Sequence, residues 1–232
     1  MFCEKIDEHL YLLKKNGAVK LPSIKHAKWR MEIYESCIKE IGKKSYGENL
    51  PSNFKFLEHA NILSVLLPKL TAFAKAEFSF IPKINDVYHV CRLVRPGDLS
   101  EGYRGHFDSH LFTLVTPIYI PNFENVINGG QLHYFPNLRK QPKNEFQNIL
   151  GKALHKRHNS ALGFEKLAKK KPRLIDDFQD YRPLLFLGNT TYHGNAPVQS
   201  SSKENRLTIL THFFDPSPKL GVGAMLRKLR HR

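Results

Sequence analysis

Among the 232 residues of this chain, the side chains best suited to chemistry are His106-Phe107-Asp108, His193 lying 85 residues beyond Asp108, and Arg206 a further 13 residues on. Two imidazoles and one carboxylate that leave coordination positions open are the donor set of a non-haem Fe(II) centre. In extended chain, residues i and i+2 share a face, so His106 and Asp108 can grip one ion together. An arginine beyond the second histidine offers a planar fork of donors for a carboxylate, and so for a dicarboxylate co-substrate. Brought together, such a set activates dioxygen.

The His-x-Asp pair alone carries little weight. Twelve His and eight Asp in this composition make about 0.4 such pairs by chance. Context gives it meaning: it follows a strand-like run and a Pro96-Gly97 turn, precedes a second run, and is answered by His193 and Arg206 flanking a third. His110, His133 and His212 compete as ligands. His193 is preferred because it follows the apolar LLFLGN and precedes Gly194-Asn195-Ala196-Pro197, placing it at a strand end where a barrel mouth can hold it rigidly.

Arg206 shares a strand face with Thr208, Leu210 and His212, while Leu207, Ile209, Thr211 and Phe213 share the other. A buried arginine among apolar neighbours needs an anionic partner. A bound carboxylate supplies one, with the Thr208 hydroxyl as a further donor. The competing reading is a salt bridge to Asp98 or Asp176.

The elements that must position these residues divide near residue 85. Residues 1–84 read mainly as helix: a first segment around Leu10, Leu12 and Leu13, a second from Trp29 to Ile41, and a third from Asn53 to about Leu67, stopped by Pro68. Residues 85–216 read as strands: Val87 to Arg95, Leu111 to Ile120 with a bulge or edge at Pro117, Gly129 to Pro136, Leu184 to Leu187 and Leu207 to Phe214. Helices first and strands afterwards predict an α+β domain with a sandwich or barrel. The whole chain, 1–232, reads as one domain.

A basic insert over 138–180 interrupts the strands and is longer than an ordinary connection. Phe146, Ile149, Leu150, Ala153 and Leu154 give it an apolar stripe at helical spacing, opposite Lys152, Lys156 and Arg157. The stripe predicts a cap packed over the barrel or an amphipathic surface anchor.

Charge is concentrated. The chain holds 36 Lys and Arg against 21 Asp and Glu. Residues 138–173 carry eleven Lys or Arg and two acids, and residues 219–232, within a basic tail over 217–232, carry five and none. A nearly neutral body with two cationic segments points to an anionic partner: a phospholipid surface, a phosphorylated glycolipid or nucleic acid. Cys3, Cys37 and Cys91 are odd in number and widely spaced, which argues against a disulfide framework and fits a reducing cytosol. Glu4, Lys5, Asp7 and Glu8 leave no signal-peptide core at the start of the chain, and no apolar run approaches the ~20 residues of a membrane span.

Together these residues resemble the 2-oxoglutarate/Fe(II)-dependent oxygenase superfamily, in its prolyl-4-hydroxylase-like branch, over residues 85–216. The motifs that carry the resemblance are Arg95-Pro96-Gly97, His106-Phe107-Asp108 and Gly129-Gly130-Gln131-Leu132 ending in Phe135-Pro136. They continue with Leu185-Phe186-Leu187-Gly188-Asn189 leading to His193 and Pro197, then Arg206 and Phe214-Asp215. The resemblance implies a double-stranded β-helix (jelly roll), with Fe(II) held by His106, Asp108 and His193 and the distal carboxylate of 2-oxoglutarate on Arg206. It also implies substrate hydroxylation by O2, coupled to conversion of 2-oxoglutarate to succinate and carbon dioxide, with Tyr119 and Thr208 as further contacts to the co-substrate. Arg95 stands where relatives often carry an aromatic. The insert and the interval from His193 to Arg206 are both longer than in compact prolyl hydroxylases. These departures bear on the substrate and leave the cofactors as implied.

Three substrate classes follow. The cationic segments and overall size favour an anionic glycolipid at the cytoplasmic face of an inner membrane. The Gly105-His106-Phe107-Asp108-Ser109-His110 block is similar to that of the bacterial Kdo 3-hydroxylases, which act on the acidic sugar of lipopolysaccharide. A prolyl-type protein hydroxylase fits the motif pattern best but calls for no cationic tail. Nucleic-acid demethylation ranks below both, because residues 207–218 contain no second arginine after Arg206.

Overall fold

Short polar-apolar periodicities decide where this chain turns from helix to sheet. The computed structural model describes residues 5–82, 86–98, 102–121, 130–202 and 204–216. The N-terminal part contributes α1 (Ile6–Asn16), β1 (Ala18–Lys20), α2 (Trp29–Ile41), β2 (Tyr46–Glu48), α3 (Pro51–His59) and, after a π-helical turn at Ile62–Leu66, α4 (Leu67–Phe78). Helix α2 has the bounds its spacing predicts, with Ile33, Cys37 and Ile41 buried on one stripe. The third predicted helix differs from the observed pair. Pro68 opens α4 instead of ending a helix, because a first-turn position has no intrahelical N–H to lose. The three-residue strands β1 and β2 escape sequence reading, since so short a run shows no alternation.

The remaining strands are β3 (Val87–Val94), β4 (Phe112–Tyr119), β5 (Leu132–Phe135), β6 (Leu174–Asp176), β7 (Leu184–Leu187), β8 (Tyr192–Asn195) and β9 (Arg206–Phe213). Between β5 and β6 stand α5 (Glu145–His155) and α6 (Ala161–Ala168). A six-stranded sheet runs β1-β7-β4-β9-β3-β2 and a three-stranded sheet runs β6-β5-β8. All the strand pairings are antiparallel. The β4–β9 register shifts between Pro117 and Tyr119, where proline cannot donate to the ladder. The architecture is α+β.

The larger sheet has a different core on each face. Its outer face, with Leu93, Leu114, Leu207 and Ile209, packs against Ile33, Phe56 and Leu70 of the helices. Its inner face, with Val115, Leu184 and Phe186, meets Leu132 and Tyr134 of the smaller sheet. Strict alternation in β9 divides that strand between the two cores. The helices therefore lie outside, and the space between the sheets is left for the functional side chains.

Candidate metal centre

Extended backbone at residues 106–108 and strand β8 bring His106 and His193 side by side. Each backbone N–H donates to the other's carbonyl at 3.0 Å. The rings sit 4.4 Å apart by centroid. Phe107 turns the opposite way, under the Arg139 guanidinium at 4.0 Å, so His106 and Asp108 share a face as alternation predicts. His193 lies inside its own short strand in the smaller sheet, past the Thr190-Thr191 turn, and not at the end of the apolar strand β7.

One ligand atom from each of His106, Asp108 and His193 falls within 4.8 Å of the others. His106 Nε2 is 3.5 Å from Asp108 Oδ1, and His193 Nε2 is 3.8 Å from Asp108 Oδ2. The opposite ring nitrogens face backbone carbonyls: His106 Nδ1 lies 2.9 Å from Arg104 O and His193 Nδ1 lies 3.2 Å from Thr191 O. A carbonyl only accepts, so Nδ1 is a donor in each ring and Nε2 is the atom turned to the carboxylate. Buried His193 Nε2 has no hydrogen-bond partner.

Protonation suits a divalent ion. Burial alone would raise the Asp108 pKa, but His193, His212 and His106 hold it well below the usual carboxylate range. Burial depresses His193 to about 4 against the pull of Asp108, so the imidazole is neutral at pH 7. An anionic carboxylate and neutral imidazoles are the states in which these residues coordinate. The donor set, its geometry and the orphaned Nε2 all fit Fe(II).

Two residues beyond the triad complete the centre. Thr113 Oγ1 donates to Asp108 Oδ2 at 2.5 Å and lies 3.0 Å from His212 Nδ1. Having given its proton to the carboxylate, the hydroxyl accepts from His212, which fixes that ring's tautomer too. The chain Asp108–Thr113–His212 therefore orients the carboxylate from behind. Gly188 lets the strands close: a Cβ there would meet His110 O at 2.7 Å and Asp108 Cβ at 3.1 Å. His110 stacks on Tyr88 and His212, which also stack on each other, and His133 turns to Tyr103 and Phe164, so neither joins the triad. The Thr113 role had a sequence signal, a hydroxyl opening the strand just after the motif, but no rule singles it out.

Arg206 begins β9 on the face that ends at His212. It is 1% exposed, and its Nε and Nη1 have no hydrogen-bond partner. Its guanidinium lies 5.5 Å from the Phe178 ring. The predicted alternative, a salt bridge to Asp176, is not formed: Lys20 Nζ takes that carboxylate at 3.0 Å. Among the described residues no acid makes an ion pair with Arg206. Gly130, at φ +72°, clears its stem, because a Cβ there would meet Arg206 Cδ at 3.2 Å. Thr208 is buried two residues along on the same face. The buried side chains packed on this inner face are Val115, Leu132, Tyr134 and Phe186.

Tyr119 corrects an expectation. Its hydroxyl donates to Glu204 at 2.8 Å and its ring stacks on Tyr34 of α2, on the outer face, away from Arg206. The β4–β9 register shifts between Pro117 and Tyr119, which goes with the outward placement of a residue that the resemblance implies as a co-substrate contact. Arg95 also lies elsewhere, donating to the carbonyls of Lys44 and Gly42. Gly129 and the tail 217–232 fall outside the described residues.

No protein-family model and no curated protein sequence matches the chain. Solved structures do. A prolyl-4-hydroxylase from Pseudomonas putida aligns with TM-score 0.55 at 12% identity, over 89% of this chain and 96% of that one. The non-haem α-ketoglutarate-dependent epimerase SnoN of nogalamycin biosynthesis aligns with TM-score 0.56 at 13% identity, over 94% and 87%. A Trichoplax adhaerens prolyl hydroxylase, solved with a hypoxia inducible factor peptide, aligns with TM-score 0.54 at 14% identity, over 90% and 88%. The chain shares the fold of these two prolyl hydroxylases and of SnoN.

Proposed function

We propose that this chain is an Fe(II)- and 2-oxoglutarate-dependent dioxygenase that hydroxylates an anionic substrate, its two sheets forming the halves of a double-stranded β-helix. The observation that carries the reading is the pairing of two incomplete sites in one interior. A His-Asp-His group has a buried ligand nitrogen unpartnered, and a buried arginine on the same strand face as the metal-side His212 lacks its anion. A metal ion with a dicarboxylate co-substrate would supply what both lack. SnoN has been solved with Fe3+ and α-ketoglutarate, which supports the same pair of cofactors here.

His106, Asp108 and His193 would hold the iron, which with 2-oxoglutarate and O2 supplies the oxidising power. The rest is the protein's contribution. Nδ1–H bonds to backbone carbonyls aim both imidazoles. Thr113 and His212 fix the carboxylate. Arg206 would hold the distal carboxylate, with the Thr208 hydroxyl as a further donor. The buried apolar cluster on the inner face keeps bulk water from these side chains.

For the substrate, the cationic segment 138–173 favours an acidic glycolipid, and the leading candidate is the Kdo sugar of lipid A precursors at the cytoplasmic face of an inner membrane. Lys152 supports this: it comes from that segment, and its Nζ donates to Ser109 Oγ at 2.9 Å, beside Asp108. A prolyl-type protein hydroxylase is the second reading, supported by the prolyl hydroxylases among the structural neighbours. Nucleic acid ranks third. Succinate release measured against Kdo-bearing lipid precursors, proline-containing peptides and alkylated oligonucleotides separates the three. His106→Ala, Asp108→Ala and His193→Ala should each abolish it; full turnover in any one refutes the assignment of that ligand.

A further inference from the structure

Helix α5 carries its apolar stripe on the outside of the molecule. Phe146, Leu150 and Leu154 are 73%, 47% and 55% exposed, and Leu162, at the start of α6, is 73% exposed. At 100° per residue the first three fall within an arc of about 80°. No residue of α5 is buried. An apolar helix face of this kind in a soluble fold marks a contact surface.

The opposite side of α5 is polar and engages the metal loop. Lys152 reaches Ser109, the His155 ring meets Phe107 edge to face at 5.0 Å, and the His155 carbonyl accepts from the Tyr192 hydroxyl. Phe107 and Tyr192 adjoin the ligands His106, Asp108 and His193. Helix α5 is well capped, with the Asn144 side chain accepting from Gln147 N–H. It is thus a formed helix held to the metal loop by its polar side and presenting leucine and phenylalanine outward.

Charge identifies the occupant. Lys143, Lys156, Arg157, Lys166, Lys169 and Lys170 are exposed around these apolar residues in sequence, and of the two acids in 138–173, Glu165 is engaged by Arg173. Exposed leucines and phenylalanine bordered by lysines match the hydrocarbon edge and the anionic headgroups of one leaflet. A protein partner would need a matching acidic rim around an apolar groove. No helix among the described residues is long and apolar enough to cross a membrane, so this contact would be interfacial.

We propose that the outer face of α5, with Leu162, docks the protein on an anionic phospholipid bilayer and so brings the metal centre to substrates at the headgroup level. Docking is read without turnover, so it stands or falls apart from the chemistry proposed above.

The test is sedimentation of the full chain with vesicles of phosphatidylcholine alone or with roughly one third phosphatidylglycerol. The wild type should partition to the anionic vesicles at least ~10-fold more strongly than to the neutral ones, and less so as salt is raised. Phe146→Ser, Leu150→Ser and Leu154→Ser combined should abolish that partition while circular dichroism stays unchanged, because these side chains are exposed. Lys143→Glu, Lys156→Glu and Arg157→Glu should remove the preference for anionic lipid. Wild-type partition to anionic vesicles no stronger than to neutral ones overturns the proposal. So does undiminished binding by the triple serine variant, which would place the contact elsewhere in the chain. A dimer in size-exclusion chromatography that the serine changes dissociate also overturns it, assigning the face to a second copy.

Discussion

Replacing Arg206 by methionine separates a ligand-binding arginine from a structural one, because the two predict opposite changes in stability. Burial pushes the Arg206 pKa from its ordinary value down to about 10, with Arg92 adding to the effect and Asp176 opposing it. At about 1.4 kcal/mol per tenfold, holding the charge there costs the ligand-free protein about 3 kcal/mol at pH 7. Methionine keeps most of the stem that packs over Gly130 and removes the charge. It also gives up the contact with Phe178, worth about 1 kcal/mol. The ligand-free Arg206→Met protein should therefore be more stable by about 2 kcal/mol, a rise in Tm of about 5 °C for a domain of this size. The wild type should gain in turn from 2-oxoglutarate, by about 3 kcal/mol at a hundred times Kd, and the variant should gain nothing. Urea or thermal unfolding with Mn(II), with and without 2-oxoglutarate, reads both effects. A variant destabilised by several kcal/mol that still responds to 2-oxoglutarate would refute the reasoning and return Arg206 to a structural role.

Thr113→Val should leave the fold intact and weaken Fe(II) or Mn(II) binding about 10- to 100-fold, because Asp108 loses the donor that orients it. Equilibrium dialysis checks this, and an unchanged Kd removes Thr113 from the centre. His89 is buried with Nδ1 unpartnered, and burial, reinforced by His212, lowers its pKa from 6.5 to about 4. The unfolded chain therefore binds more protons than the folded one between those values, and stability falls as pH drops from 6.5 towards 4. At pH 5 this group alone removes roughly 2 kcal/mol relative to pH 8. His89→Phe should abolish that part of the slope in unfolding curves at the two pH values; a parallel slope would contradict it.

Much of the fold was legible because the signals were local. Trp29–Ile41 shows a helical stripe long enough to identify by itself, β3, β4 and β9 are rich in β-branched and aromatic residues, and β7 is a short apolar run between Pro183 and Gly188. Where the reading failed, a longer-range term decided. Pro68 could end one helix or begin another, and packing of Leu70 and Ala74 chose the second. The strands β1, β2 and β6 are strands only because an edge of a sheet was available to them. Tyr119 came in through the resemblance alone, and nothing local announces the register shift after Pro117 that accompanies its outward position.

The sequence by itself determined the chemistry on offer: two histidines, one carboxylate and an arginine whose strand neighbours are apolar. Residue type is enough for that, since donor set and charge are properties of side chains. Tertiary structure decided which histidine stands opposite His106, through two backbone hydrogen bonds between segments 87 residues apart. It also left Arg206 without an ion pair to an acid among the described residues, with Asp176 held by Lys20, and turned the apolar stripe of α5 outward. Alternation fixes which side chains share a face of one strand. It says nothing of what that face will meet, because the meeting depends on which sheet edges and helices close over it.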